Sequence, residues 1–220
     1  MARTNTSDIE LQSLHSNNID IKNREIFLHS HFGYDEDEAG VDYRSSVTFE
    51  KNLRFLNQQS ADSILIHMHL PGGDWEDCLS LYDTIKYSRS KTTILAYAKV
   101  QSASSIIFQS ANLRILMPNV NMLIHYGSIS IDDEHKAAIS SLQWSERESA
   151  KMLDIFVDKW ITSPMSKDKN WKKPIARKHI QSQLATKSDW ILTAEEAVYY
   201  GFADGILGDK KYPTIESLKK

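Results

Sequence analysis

With one cysteine, Cys78, in 220 residues, the chain can form no internal disulfide, and a reducing cytoplasm is its expected compartment. It also lacks any apolar run approaching the roughly 18 to 20 residues that a membrane-spanning helix needs, so no membrane partner is expected. Residues 1–18 are polar and carry no apolar signal core, so secretion is not expected either. A Gly-x-x-x-x-Gly-Lys-Ser/Thr loop is missing, which removes the usual phosphate cradle of an ATPase. The net charge of −3 supplies no global field for nucleic acid or an anionic surface. No linker-like break in composition divides the chain, and 41% hydrophobic content suffices for one core.

The most informative position present is Ser102. It follows an apolar strand, residues 92–98, and precedes a helix-like run, residues 103–111. A strand-to-helix turn exposes a serine hydroxyl and leaves unpaired backbone N–H groups beside it, the setting of a nucleophile. Upstream, a strand over residues 63–69 ends at Pro71-Gly72-Gly73. The apolar positions Trp75, Cys78, Leu79, Tyr82 and Ile85 then recur with helical spacing. Strand, Gly-Gly, helix, strand reads as a βαβ unit, whose crossover brings the Gly-Gly turn and the Ser102 turn to one edge of a parallel sheet. Downstream, Met122-Leu-Ile-His125 ends on a histidine, and Asp189 stands one short strand ahead of a helix marked by a Thr193/Glu196 capping box and stopped at Gly201.

Ser102, His125 and Asp189 are candidates for a nucleophile, a base and an acid, though taken singly they could equally be a helix cap, a core histidine and a turn residue. A neutral hydroxyl attacks poorly unless a base takes its proton, and imidazole, titrating near ~6.5, suits that task. An aspartate on the other ring nitrogen would orient the ring and stabilise the imidazolium. The N–H groups of Gly73 and Ala103 are candidates for holding the oxyanion. His67 and His69 share a face of their strand, but no third ligand stands near them, so no metal is expected.

Several stretches in order strengthen this reading: Arg24-Glu-Ile-Phe-Leu28, Pro71-Gly72-Gly73 with Leu81-Tyr-Asp-Thr-Ile85, Ser102, Met117-Pro-Asn119, Leu123-Ile-His125, Asp189 to Ala197, and Tyr200-Gly-Phe-Ala-Asp204. From about Arg24 to Leu207 the sequence resembles the proteolytic subunit of the Clp protease (ClpP). The resemblance implies an α/β fold, a ClpP/crotonase-like repeated β-β-α superhelix with a projecting handle helix. It implies an ATP-dependent Clp-type serine endopeptidase subunit that cleaves unfolded polypeptides inside an oligomeric chamber. Its nucleophile falls on Ser102, its base on His125, its acid on Asp189 and its oxyanion donors on Gly73 and Ala103. It further implies a homo-oligomer, a heptameric ring stacked in pairs, fed by a separate AAA+ unfoldase that uses the ATP, with no cofactor in this chain. Two alternatives share the fold: a non-catalytic ring subunit, and a crotonase-type enzyme acting on acyl-CoA.

The chain departs from the family before the serine, where a glycine-rich lead and Ala-Ala are replaced by Ala98-Lys99-Val100-Gln101, and after it, where Met is replaced by Ala103. Three regions are expected: a flexible arm over 1–22, a peptidase domain over 23–208 with insertions near 33–46 and 163–179, and a tail over 209–220. The acidic 33–40 segment and the basic stretch around Trp171 are expected as loops. Residues 126–131 alternate Ile129 and Ile131 as a strand, and Asp132 and Asp133 are expected to cap the long helix after them. That Gly- and Pro-free helix is either continuous, so that part of it projects, or broken near Ser145.

Overall fold

The computed structural model describes residues 6–30, 40–132 and 134–219. Five parallel pairings build the sheet. The strands β2 (Glu25–His29), β3 (Ile64–Leu70), β4 (Thr92–Gln101) and β5 (Leu113–Leu116) lie side by side in that order, with the short β8 (Gly205–Ile206) beyond β5. β3 and the first half of β4 are almost wholly buried, as expected of parallel strands covered on both faces. Helices α2 (Tyr43–Gln59) and α3 (Trp75–Lys86) supply the cover on one face through Phe49, Leu53 and Leu56 of the first and Cys78, Leu81 and Ile85 of the second. On the other face Leu65, Leu95 and Ile115 meet Tyr212 and Leu218 of the final segment, which ends in a 3-10 helix, Ile215–Lys219. The tail is therefore packed rather than loose.

β4 is the strand that shapes the site. Its first half pairs with β5, whereas Lys99, Val100 and Gln101 pair with β6 (Asn121–Ile124). The change of partner falls at Ala98, which has φ 54° and coincides with a shift of register against β3. β6 in turn pairs antiparallel with β7 (Trp190–Leu192), so the sheet forks at Ala98 into a second, three-stranded arm.

Helix α5 (His135–Trp160) runs 26 residues without a break, about 39 Å, and Ser145 does not interrupt it. Its buried residues, Glu148, Met152, Leu153, Phe156, Val157 and Trp160, all lie in the second half. The first half projects, with Ile139, Leu142 and Trp144 exposed. The chain then forms α6 (Pro164–Lys169) and α7 (Lys173–Lys187) where a basic loop was expected. Ser163 caps α6, Pro164 and Pro174 suit the first turns of the two helices, and Asn170 takes the left-handed conformation between them. Trp171 is not free to stack on a base: it stacks on Trp160 at 6.1 Å, within a cluster that also holds His179, Trp190, Tyr200 and Phe202. Burial of the aromatic faces outweighs the local basic charge and draws the segment onto the core.

Other expectations need correction. Within the supposed flexible arm, residues form α1 (Thr6–Asn17) and β1 (Ile19–Asp20), the latter paired antiparallel with β2. The acidic segment 33–39 lies outside the described residues, while residues 43–46 are helical, because Asp42 and Ser45 form a capping box that starts α2. Residues 126–131 form no strand, and among the described residues no neighbouring strand pairs with them. The cap of α5 falls at Glu134, without a side-chain bond, so Asp132 does not cap it, and Asp133 lies outside the described residues. Among the described residues no helix is long and apolar enough to cross a membrane.

Candidate active site

Strand register alone brings three distant residues together. Gln101 of β4 pairs with Leu123 of β6, and the Ser102 N–H continues the ladder by donating to the Leu123 carbonyl at 3.0 Å. Ile124 of β6 pairs with Trp190 of β7, so one step further along His125 stands opposite Asp189. The Ser102 hydroxyl then donates to His125 Nε2 at 2.7 Å. His125 Nδ1 donates to Asp189 Oδ1 at 3.1 Å, a donor pattern that requires the Nδ1–H tautomer. His125 is 29% exposed and Asp189 55%, so the set opens to solvent from the acid's side.

Ser102 occupies a strained turn, with φ 54° and ψ −128°. A non-glycine residue there costs on the order of 1–3 kcal/mol and persists only when its surroundings enforce it. Two serines that sequence reasoning overlooked do the enforcing. Ser105 Oγ donates to the Ser102 carbonyl at 2.6 Å, while Ser104 Oγ bonds both the N–H and the carbonyl of Gln101 at 2.7 Å. Ser102 is the N-cap residue of α4 (Ala103–Phe108), yet its hydroxyl makes no capping bond and is left to His125. The helix is shorter than the run of 103–111 expected, ending in a turn at Gln109. The clustering Ser102, Ser104, Ser105 was the signal available in the sequence, since such side chains bond nearby backbone at turns.

The Gly-Gly turn presses directly on this one. A Cβ on Gly72 would lie 2.8 Å from Ser102 Cβ, and a Cβ on Gly73 would lie 2.2 Å from the Val41 nitrogen. Their φ values, 124° and 141°, are in the region that favours glycine. The N–H groups of Gly73 and Ala103 have no acceptor among the described residues, and both border the cleft that contains Ser102. Ala103 opens a helix, where an N–H is unpaired by construction.

The cleft, about 520 Å³, runs from the two turns to α5 and is walled by Trp75, Ile106, Trp144 and Met152. Glu148 also faces it, accepting from Trp75 Nε1 at 2.8 Å and from Lys151 Nζ at 2.7 Å. Burial opposes ionisation of this carboxyl, but the bonds from Lys151 and Trp75 outweigh it and hold the group below the usual carboxylate range. His67, His69 and Cys78 do not line the cleft. His67 places Nδ1 against Tyr97 Oη at 2.8 Å and Nε2 against Glu25 at 3.0 Å, so both ring nitrogens are occupied, while His69 is exposed. Cys78 is buried, donates to the Ala103 carbonyl, and has its thiol pushed up by desolvation, which makes it unreactive.

A parallel α/β sheet that carries a Ser-His-Asp set at strand ends, with two unpaired N–H groups beside the serine, defines the class as an α/β fold with a hydrolase-type constellation. The Clp protease family model matches residues 21–210, and the chain belongs to that family. It is 25% identical over 174 residues to the ATP-dependent Clp protease proteolytic subunit 1 of Tropheryma whipplei strain Twist, covering 78% of each chain. It is 25% identical over 179 residues to proteolytic subunit 2 of Pseudomonas aeruginosa, covering 80% of this chain and 82% of the relative. A ClpP1 variant from Listeria monocytogenes shares the fold at a TM-score of 0.67 and 19% identity, over 90% of this chain and 96% of that one.

Proposed function

We propose that this chain is a catalytically competent Clp-type serine endopeptidase, with residues 23–208 as the peptidase domain. The observation that carries the reading is the Ser102 hydroxyl at 2.7 Å from a histidine that is itself bonded to Asp189. Ser102 Oγ attacks the peptide carbonyl carbon as its proton passes to His125 Nε2, and the carbonyl electrons move to the oxygen. That oxyanion accepts from the N–H groups of Gly73 and Ala103, the second at a helix start where backbone donors favour negative charge. Collapse expels the amine, which takes the proton from His125, and leaves an acyl ester on Ser102. Water then attacks by the same route and frees the acid. Asp189 holds the ring and offsets its transient positive charge.

This chemistry needs no cofactor in the chain. Cytoplasmic ring assembly, heptameric and stacked in pairs, and delivery of unfolded polypeptides by a separate ATP-driven AAA+ unfoldase extend the family's pattern to this protein, with neither nucleic acid nor membrane involved. Incubation with a fluorophosphonate followed by intact mass is the deciding experiment: one adduct per chain is expected, lost in Ser102→Ala. Absence of an adduct at pH 8, together with no cleavage of a short-peptide library, would favour a non-catalytic ring subunit, a reading to which the exposure of Asp189 lends support.

A further inference from the structure

The wall of the cleft opposite the two turns is not uniformly apolar. One face of α5 presents Ser145, Glu148, Ser149 and Met152 to it, and Glu148, though only 6% exposed, is among the lining residues. A carboxylate offers about four acceptor sites, and Glu148 uses two, one for Trp75 and one for Lys151. Lys151 does not close the cleft: it is 57% exposed, is not among the lining residues, and reaches over the Trp144 ring at 5.4 Å. Asp74 and Glu76 also line the cleft, whereas no lysine or arginine does among the described residues. The electrostatic character is therefore that of a cation site, with aromatic faces and a thioether placed to cover an aliphatic stem.

We propose that the cleft selects polypeptides with a lysine or arginine next to the scissile bond, and that Glu148 is the specificity-determining residue. The stem of the basic side chain lies along Met152, Trp75 and Trp144, and its charged head donates to the acceptor sites left free on Glu148. The proposal rests on the Ser102 cleft being where peptide binds, but not on bond cleavage. A purely structural Glu148, tying α3 to α5 through Trp75, would leave all peptides equally affected by its loss.

The test uses the full chain carrying Ser102→Ala and decapeptides that differ at one central residue, arginine, citrulline or glutamate, with binding read by fluorescence polarisation. Arginine is expected to bind roughly tenfold tighter than its neutral isostere, citrulline, with glutamate weakest. Adding Glu148→Gln, which keeps an acceptor for Trp75, should erase the arginine advantage while leaving citrulline unchanged. Equal binding of arginine and citrulline would overturn the proposal, and this comparison needs no Glu148 variant should that one fail to fold. An arginine advantage that survives Glu148→Gln would also overturn it. In the unmutated chain kcat/KM should follow the same order; a chain that binds in this order yet neither cleaves nor reacts with fluorophosphonate would sink the peptidase reading and leave this one standing.

Discussion

Replacing Gly72 by alanine perturbs the contact between the two turns with a single methyl group. That carbon would stand 2.8 Å from Ser102 Cβ and 2.9 Å from the Gln101 carbonyl oxygen, and neither neighbour is the loose end of a side chain. Two costs add. The backbone at φ 124° becomes strained for an L-residue, on the order of 1–3 kcal/mol, and the overpacking contributes about 1–3 kcal/mol more. Gly208 separates them, because it has φ 97° but nothing within 4 Å of its added carbon, so Gly208→Ala reports the backbone cost alone. Urea unfolding should show Gly72→Ala losing roughly twice what Gly208→Ala loses, about 2–6 kcal/mol in all. The clash also pushes Ser102 away from His125. Since a misplacement of about 1 Å costs about 100-fold, a shift of a few tenths of an ångström should slow fluorophosphonate labelling by at least about fivefold, with Gly208→Ala unaffected. Equal stability losses in the two variants, with labelling at the unmutated rate in both, would refute the idea that the Gly-Gly turn holds the serine in place.

Ser102→Gly should abolish labelling yet stabilise the fold by about 1 kcal/mol, since it removes a side chain from a turn at φ 54°; a less stable variant would show that the turn is not strained. Asp204→Ala should cost about 3–5 kcal/mol in urea unfolding, because it strands the buried Arg114 guanidinium, whose Nε and Nη2 bond the two carboxylate oxygens at 2.9 and 2.6 Å. Burial lowers the pKa of His67 despite the bond and charge of Glu25, so the unfolded chain binds its proton first as pH falls. The stability this group contributes is complete above the unfolded value near ~6.5 and declines below it, and unfolding midpoints at pH 7, 6 and 5 should fall less steeply in His67→Gln.

The candidate site was legible in the sequence because each of its residues sits at the end of a strongly patterned element. Strand, Gly-Gly and helix announce themselves locally, and the capping box at Thr193 fixes the approach to Asp189. What the sequence hid was structure that depends on distant partners. Helix α2 has only Phe49, Leu53 and Leu56 as its buried apolar face, and its signal lay next to an acidic run that reads as loop. The segment 163–179 carries six lysines and arginines, yet Trp171 folds it inward, because the other rings of its cluster come from residues up to Phe202. Conversely, Ile129 and Ile131 have a strand's alternation and no strand to join. Glu148 escaped notice for a related reason: within α5 it reads as one more charge on a solvated helix, and only the approach of Trp75 from α3 makes it a cleft residue.

The fork at Ala98 bears on the order in which the chain acquires its chemistry. Ser102 and His125 lie 23 residues apart and meet as soon as β6 docks on the tip of β4. Asp189 lies 64 residues beyond His125, and its strand can join only after α5, α6 and α7 have been laid down. Closing the longer loop costs more entropy, so Ser102 and His125 are brought together first and Asp189 last. A chain emerging from the ribosome would then carry a serine and histidine in contact without the carboxylate that fixes the ring until β7 has docked. Pulse-labelling hydrogen exchange during refolding should find the amides of β6 facing β4 protected before those of β7, and simultaneous protection of both would show that the arm forms in one step.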